Sequence, residues 1–364
     1  MWFRFDPGTL LCVYGTIHTV ATALCGYNCI LYFTHVLGFQ LTIIFHSIPL
    51  QRTVLTTVLF LCNQGGVPIL QLDDKKIRKG KPIGLPYVGS KKKVSKKIVE
   101  IIKQNFGSDI PVYDVFGGGG AIAAELLLND MWVHYNDLDS NVTNMFVRVI
   151  SQDRKWLKAL IVSRDEFLTI RDKKEKTVDD NLKLLVNSFA NNSKRYLYNK
   201  EQSNEKYNLA IEIIKKHDVF SGYRQTEIYR NAKQPGRPKQ ILRLTQLERL
   251  AQLERLQQLG QLQQTQKLKL TNYDYTAFSN VKNAILYLDP PYQNTKNDYK
   301  FELDYQLFYD WCVEMSKRNI VIISGYNIPD PRFKVVWEFK TARGTYAGGV
   351  NKRYEKLYMV SEGR

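Results

Sequence analysis

The sequence predicts an α/β fold, a largely parallel sheet laid down in two stretches around a long insertion, and three observations carry that expectation. The first is a strand-like run, Ile110–Phe116, that ends in Gly117-Gly118-Gly119-Gly120 and continues into a helical segment, Ala121–Asn129. A short strand, Trp132–Tyr135, then ends at Asn136-Asp137, which completes one βαβ unit. The second is a buried strand, Ala284–Leu288, that runs into Asp289-Pro290-Pro291-Tyr292. A helix over Tyr305–Lys317, an apolar strand at Ile320–Ser324 and further strand material at Val335–Glu338 and Tyr354–Val360 follow it. The third is the polar, basic and irregular stretch from about 150 to 280 that separates them.

Taken in chain order, residues 1–72 are unlike the rest. Nothing between Asp6 and Arg52 is charged, and Leu, Ile, Val, Phe and Tyr are frequent. The run from Cys25 to Leu50 is long enough to cross a bilayer, yet helix punctuation is poor and His, Thr, Asn and Gln are scattered through it. No basic leader or small-residue cleavage site is present. A membrane anchor, an extra domain and upstream sequence read through from a misplaced start all fit this extension. We expect the last, with a non-AUG start near Val67 or Leu70, and we expect no membrane partner. The five cysteines, at 12, 25, 29, 62 and 312, have no framework spacing and fit a reducing, cytoplasmic compartment. Cys25 and Cys29 with His18 and His35 are zinc-ligand types, but their surroundings are apolar, so small buried thiols and no metal are expected.

Charge begins abruptly at Asp73. Within the basic segment 75–103, Ser90–Lys103 has helical spacing, with Val94, Ile98, Ile101 and Ile102 on one face. We assign 73–150 to the first part of the main domain, 151–280 to the insertion and 281–364 to the second part. The insertion holds Gly236-Arg237-Pro238, faintly like a minor-groove hook. It also holds a tract with leucine at every third position from Leu244 to Leu262. A three-residue step falls about 60° short of a helical turn, so these leucines spiral around a helix instead of forming a stripe. The tract reads as an expanded repeat without a catalytic role. Across the chain, 52 Lys and Arg stand against 35 Asp and Glu, a net charge of +17 that fits a polyanionic partner.

The glycine run marks a place where backbone approaches a small molecule closely. It lacks the Lys-Ser/Thr ending of a phosphate loop. Asp137, at the end of the next strand, is placed to accept hydrogen bonds from ribose hydroxyls, with a helix N-cap as its plainer role. Asp289-Pro290-Pro291-Tyr292 is the sharper signal. Its prolines remove two backbone donors and fix a rigid turn, which leaves the Asp289 carboxylate and the Pro290 carbonyl as two acceptors. Two acceptors without a donor suit an exocyclic amine, and Tyr292 offers a ring for stacking on a base.

With these motifs in place, residues 82–360 resemble the D12-class, Dam-like DNA adenine methyltransferases. Leu85-Pro86-Tyr87-Val88-Gly89-Ser90-Lys91 is similar to that family's N-terminal cofactor block. Val115-Phe116-Gly117-Gly118-Gly119-Gly120-Ala121 is similar to its glycine motif, and Asp289-Pro290-Pro291-Tyr292 to its catalytic motif. The order matches the α arrangement of amino-methyltransferases.

The resemblance implies a Rossmann-like, seven-stranded sheet with a largely helical target-recognition insertion. It also implies S-adenosylmethionine as cofactor and double-stranded DNA as partner, with a cognate restriction endonuclease as a further one. Tyr87, Lys91, Phe116, Gly117, Gly118, Gly119, Asp137, Asp274 and Asp289 would line the cofactor site, and Asp289, Pro290, Pro291 and Tyr292 the catalytic one. Lys92, Lys93, Asn191, Asn192 and Arg195 would meet DNA. The extension and the leucine tract depart from the family and obscure target choice.

Cytosine-ring methylation needs a thiolate, normally on a Cys after Pro, and no cysteine here follows a proline. Methylation of the cytosine amine goes with Ser at position 289, and of RNA or protein amines with Asn. A decayed, DNA-binding relative and a membrane protein with a cytosolic domain are the alternatives from other classes.

Overall fold

The computed structural model describes residues 69–87, 89–216, 267–291, 303–343 and 354–361, together with the backbone of four short strands near the N-terminus. Tyr292, Cys25, Cys29, His35, the segment 233–240 and the leucine tract lie outside the described residues. Met1–Thr57 and Val58–Arg364 are two compact units. In the first, β1 (Leu10–Tyr14) pairs antiparallel with β2 (Ile17–Ala21), and β3 (Leu31–Phe33) with β4 (Ile43–Phe45). Uncharged segments rich in β-branched and aromatic residues form strands here, as their propensity favours. Among the described residues no helix is long and apolar enough to cross a membrane.

The second unit is a seven-stranded mixed α/β sheet. Its strands are β5 (Val112–Asp114), β6 (Val133–Asn136), β7 (Leu268–Thr271), β8 (Ile285–Leu288), β9 (Ile320–Gly325), β10 (Phe333–Arg343) and β11 (Tyr354–Val360). They lie in the order β10-β11-β9-β8-β5-β6-β7. Pairing is parallel from β7 through to β9, and β11 runs antiparallel to both neighbours. The chain reverses its direction of travel across the sheet between β5 and β8. In open α/β sheets a ligand crevice forms at such a switch point.

Period-two burial builds the core on both sheet faces. Along β8, Ile285 and Tyr287 enter one cluster, with α1 (Ser95–Phe106), α2 (Ala121–Leu128) and α3 (Ser140–Ile150). Leu286 and Leu288 enter the other, with Phe308, Cys312 and Met315 of a helix at Tyr305–Ser316. All four residues of β8 are buried, as a strand covered on both faces requires. Each such apolar side chain contributes roughly 1.5–3 kcal/mol.

Helix α2 is apolar almost all round and buries every residue from Ala121 to Leu127, including Glu125. Arg78 answers that carboxylate with bonds of 2.7 and 2.8 Å and fastens the basic N-terminal segment onto the helix.

The segment expected as one helix from Ser90 divides. A 3-10 turn at Lys91–Lys93 precedes α1, and Val94, with φ −118 and ψ −9, separates them. The turn carries Lys91 inward, where it is 8% exposed.

Within the stretch assigned to the insertion lie α4 (Arg154–Lys158), α5 (Arg164–Asp172), α6 (Val178–Asn187) and α7 (Lys200–Lys216). Val162, Phe167, Ile170, Leu184 and Tyr196 form a small core of their own there. The same stretch supplies β7, so the sheet resumes at Leu268, before the boundary placed at 281.

Candidate active site

The glycine motif leaves β5 at Asp114 and turns so tightly that side chains have no room, as two of its positions show. A Cβ on Gly117 would overlap the Tyr135 ring, and one on Gly119 would lie 2.8 Å from Tyr87 Cβ. Asp137 secures the loop: its Oδ2 accepts from Gly118 N at 2.8 Å and its Oδ1 from Asp139 N at 2.8 Å. The helix N-cap role expected as the plainer function of Asp137 falls instead to Asp139, which caps α3.

Asn136 holds the neighbouring strand ends together. Its amide donates to Val115 O and Tyr273 O, each at 2.9 Å. Its oxygen accepts from Thr271 Oγ1 and Tyr273 N, each at 2.8 Å. That is the full set a buried amide needs.

The N-terminal block docks on the loop through backbone, Leu85 N donating to Gly119 O at 2.7 Å. Lys92 Nζ donates to Leu85 O at 2.8 Å, so this lysine shapes the block from within. Lys91 extends from the same block to the end of β8, where its Nζ lies 2.7 Å from Asp289 Oδ1 and 3.4 Å from Glu355 Oε1. Past Asp289, Pro290 is buried and the Pro291 carbonyl accepts the Tyr305 hydroxyl.

These pieces close on one cavity of about 190 Å³. Tyr87, Lys91, Phe116, Gly117, Gly118, Gly119, Asp137, Asp274, Asp289 and Pro291 all line it. Asp274 caps the 3-10 turn Tyr275–Phe278 through Thr276 N at 3.0 Å. The Phe116 and Tyr275 rings stack with centroids 6.5 Å apart and planes 27° from parallel, which gives the wall an apolar aromatic section. Lys92, Lys93, Asn191, Asn192 and Arg195 do not line the cavity.

Asn191 and Asn192 sit in a tight loop closed by the Ser188–Tyr196 bridge. Asn191 Nδ2 donates to Leu185 O at 3.0 Å and Asn192 Oδ1 accepts from Arg195 N at 3.2 Å. Ala190, Asn191 and Ser193 all have positive φ, a left-handed conformation that non-glycine residues seldom adopt. Arg195 and Phe189 are exposed at its surface, Phe189 by 60%.

Electrostatics at the cavity are dominated by buried carboxylates. Burial pushes Asp289 up to about 6, with Lys91 opposing the rise and Glu355 adding to it. Burial works against the Lys91 ammonium too, but Asp289 and Glu355 outweigh it and hold its pKa above that of an ordinary lysine. Asp114 is pushed well up, mainly by burial and then by the negative charge of Asp289. Burial also raises Asp137, against its two backbone donors.

Sequence reasoning missed Asp114, Tyr287 and Glu355. Asp114 was legible as the acidic residue that ends the strand before the glycine motif. Tyr287 hides in an apolar run, and Glu355 comes from a strand whose pairing the sequence does not reveal. No group of three or more potential metal ligands occurs among the described residues.

Residues 87–311 match the family model described as D12 class N6 adenine-specific DNA methyltransferase. Among curated proteins, none matches. Among solved structures the chain is similar to one from Escherichia coli named "Putative methyltransferase yhhF", with 10% identity and a TM-score of 0.30. That similarity covers 77% of this chain and 92% of the other.

Proposed function

Because the chain belongs to the D12 class of N6 adenine-specific DNA methyltransferases, enzymes that use S-adenosylmethionine, we propose that the cavity at the sheet's switch point is where a flipped adenine meets that cofactor. One observation supports this above the others: the glycine loop, Asp137, Lys91 and Asp289 line a single cavity although four separate segments supply them.

The residues fit the cofactor. Backbone approaches the cavity without Cβ atoms at Gly117–Gly119, and Asp137 uses two of its roughly four lone-pair sites on Gly118 N and Asp139 N, which leaves others for ribose hydroxyls. Tyr87 and Lys91 would hold its methionine end, while Phe116 and Asp274 would flank its base. When bound, S-adenosylmethionine supplies an electrophilic methyl group on a sulfonium.

Adenine's amine is a weak nucleophile because its lone pair is delocalised into the ring, and in a duplex it is out of reach unless the base is extruded. Asp289 and the Pro290 carbonyl would accept its two N–H bonds and turn the lone pair out of conjugation. Positioning and electrostatics then carry the transfer. The amine nitrogen would gain a bond to the methyl carbon as that carbon's bond to sulfur breaks, and the surplus amine proton would pass to Asp289 or water. Tyr292 would stack on the extruded base.

Lys93, Asn191, Asn192 and Arg195 would contact DNA, with Lys92 supporting the block from beneath. A cytoplasmic location, and a cognate endonuclease acting on the same site, complete this proposal. The experiment that tests it is incubation of the full chain with S-adenosylmethionine and unmethylated plasmid, followed by sequencing that maps modified adenines. One recurring sequence context is the expected result. Unmodified DNA, or methyl groups scattered over all adenines, would overturn site-specific methylation.

A further inference from the structure

The buried charge beneath Asp289 involves more than its lysine. Glu355, 4% exposed, is the second residue of β11, and its Oε1 accepts the Ser324 hydroxyl of β9 at 2.7 Å. The same oxygen stands 3.4 Å from Lys91 Nζ. One ammonium therefore lies between two carboxylates, one at the cavity wall and one held by strand and hydroxyl behind it.

We propose that Glu355 is a positioning residue that holds the Lys91 ammonium on Oδ1 of Asp289, so that Oδ2 is the oxygen offered to the adenine amine. This rests on the methyltransferase function proposed above. A lysine has a long, flexible stem, and paired with a single aspartate it is free to swing toward any carboxylate that enters the cavity. A second carboxylate, on a strand paired on both sides, removes that freedom. A buried charge also needs such partners, because desolvation penalises an ion that is left without them.

Glu355 acts through Lys91, so its signature is electrostatic. The charged and titratable groups facing Asp289 are Lys91 from the 3-10 turn, Glu355 from β11, Tyr287 from β8 and Asp114 from β5. Loss of the Glu355 charge removes a repulsion from Asp289. Loss of Lys91 removes an attraction.

The test is a pH titration of the full chain labelled with ¹³C at aspartate carboxyls, the resonance lost in Asp289→Asn identifying Asp289. A wild-type midpoint near 6 is expected. It should move down in Glu355→Gln and up in Lys91→Met. Glu355→Met removes the acceptor as well as the charge and so releases the ammonium; it should move the midpoint up instead, because the Lys91 attraction on Asp289 outweighs the Glu355 repulsion. The acid limb of the pH–rate profile for adenine methylation should follow the midpoint in each variant, and a downward shift in Glu355→Met would overturn the hold on Lys91. A midpoint and limb unmoved by removal of the Glu355 charge would overturn the inference, as would a merely uniform drop in rate at every pH. Failure of the wild-type chain to methylate adenine would instead overturn the proposed function, with the titration still legible.

Discussion

The Lys91 ammonium stands 2.7 Å from Oδ1 of Asp289 and joins the first motif of the domain to the last. Lys91 is turned inward by a 3-10 turn, and Asp289 directly follows a strand buried on both faces. The pair fixes the acceptor beside the glycine loop, and the consequences of disturbing it are specific.

Asp289 has a raised pKa, so its charge is present above about pH 6 and is lost as pH falls through that value. The ionised form is the acceptor. Methyl transfer is expected to be level at neutral pH and to decline below about 6, and the residual transfer by Asp289→Asn should lack that limb. A rate that stays level down to pH 4.5 would show that another group governs it.

Gly117→Ala places a methyl group into the Tyr135 ring. Overpacking of this kind costs about 1–3 kcal/mol, and here the strain is released by moving the loop that faces the cavity. Calorimetry should show S-adenosylmethionine affinity falling by more than the drop in stability measured by urea unfolding.

Arg78→Met removes the partner of a fully buried carboxylate, Glu125. An uncompensated buried charge costs about 3–5 kcal/mol, and the 3.2 Å bond from Asn129 offsets part of it. The double variant Arg78→Met/Glu125→Leu should recover most of the loss in equilibrium unfolding.

Arg195→Ala is expected to raise KM for DNA without altering cofactor affinity, because Arg195 is exposed and does not line the cavity. If its guanidinium meets phosphate, the slope of log affinity against log salt should lessen by about one.

Much of the site was legible because its chemistry is local in sequence. The glycine run, Asp137 and the Asp-Pro-Pro turn each declare their conformation within a few residues, and the sheet brings them together. Strand β7 was not legible: Leu268-Lys269-Leu270-Thr271 is short, follows closely on the Gln-rich end of the leucine tract, and on the sheet edge its residues are exposed or half-buried. Helix α3 follows a short Asp139 cap that the acidic signal of Asp137 concealed. Glu355 acquires meaning only from the register that pairs Lys356 with Gly325 and Leu357 with Ser324. No pattern along the chain encodes that long-range pairing.

The central claim is that this cavity methylates adenine through Asp289. The most direct measurement is transfer of labelled methyl from S-adenosylmethionine to unmethylated DNA by the wild-type chain and by Asp289→Ala, with nucleosides resolved after digestion. Label on N6-methyladenine that falls by about 10²–10³-fold in the variant, while cofactor still binds, is the result expected. Label on another base, or equal label from Asp289→Ala, would contradict it.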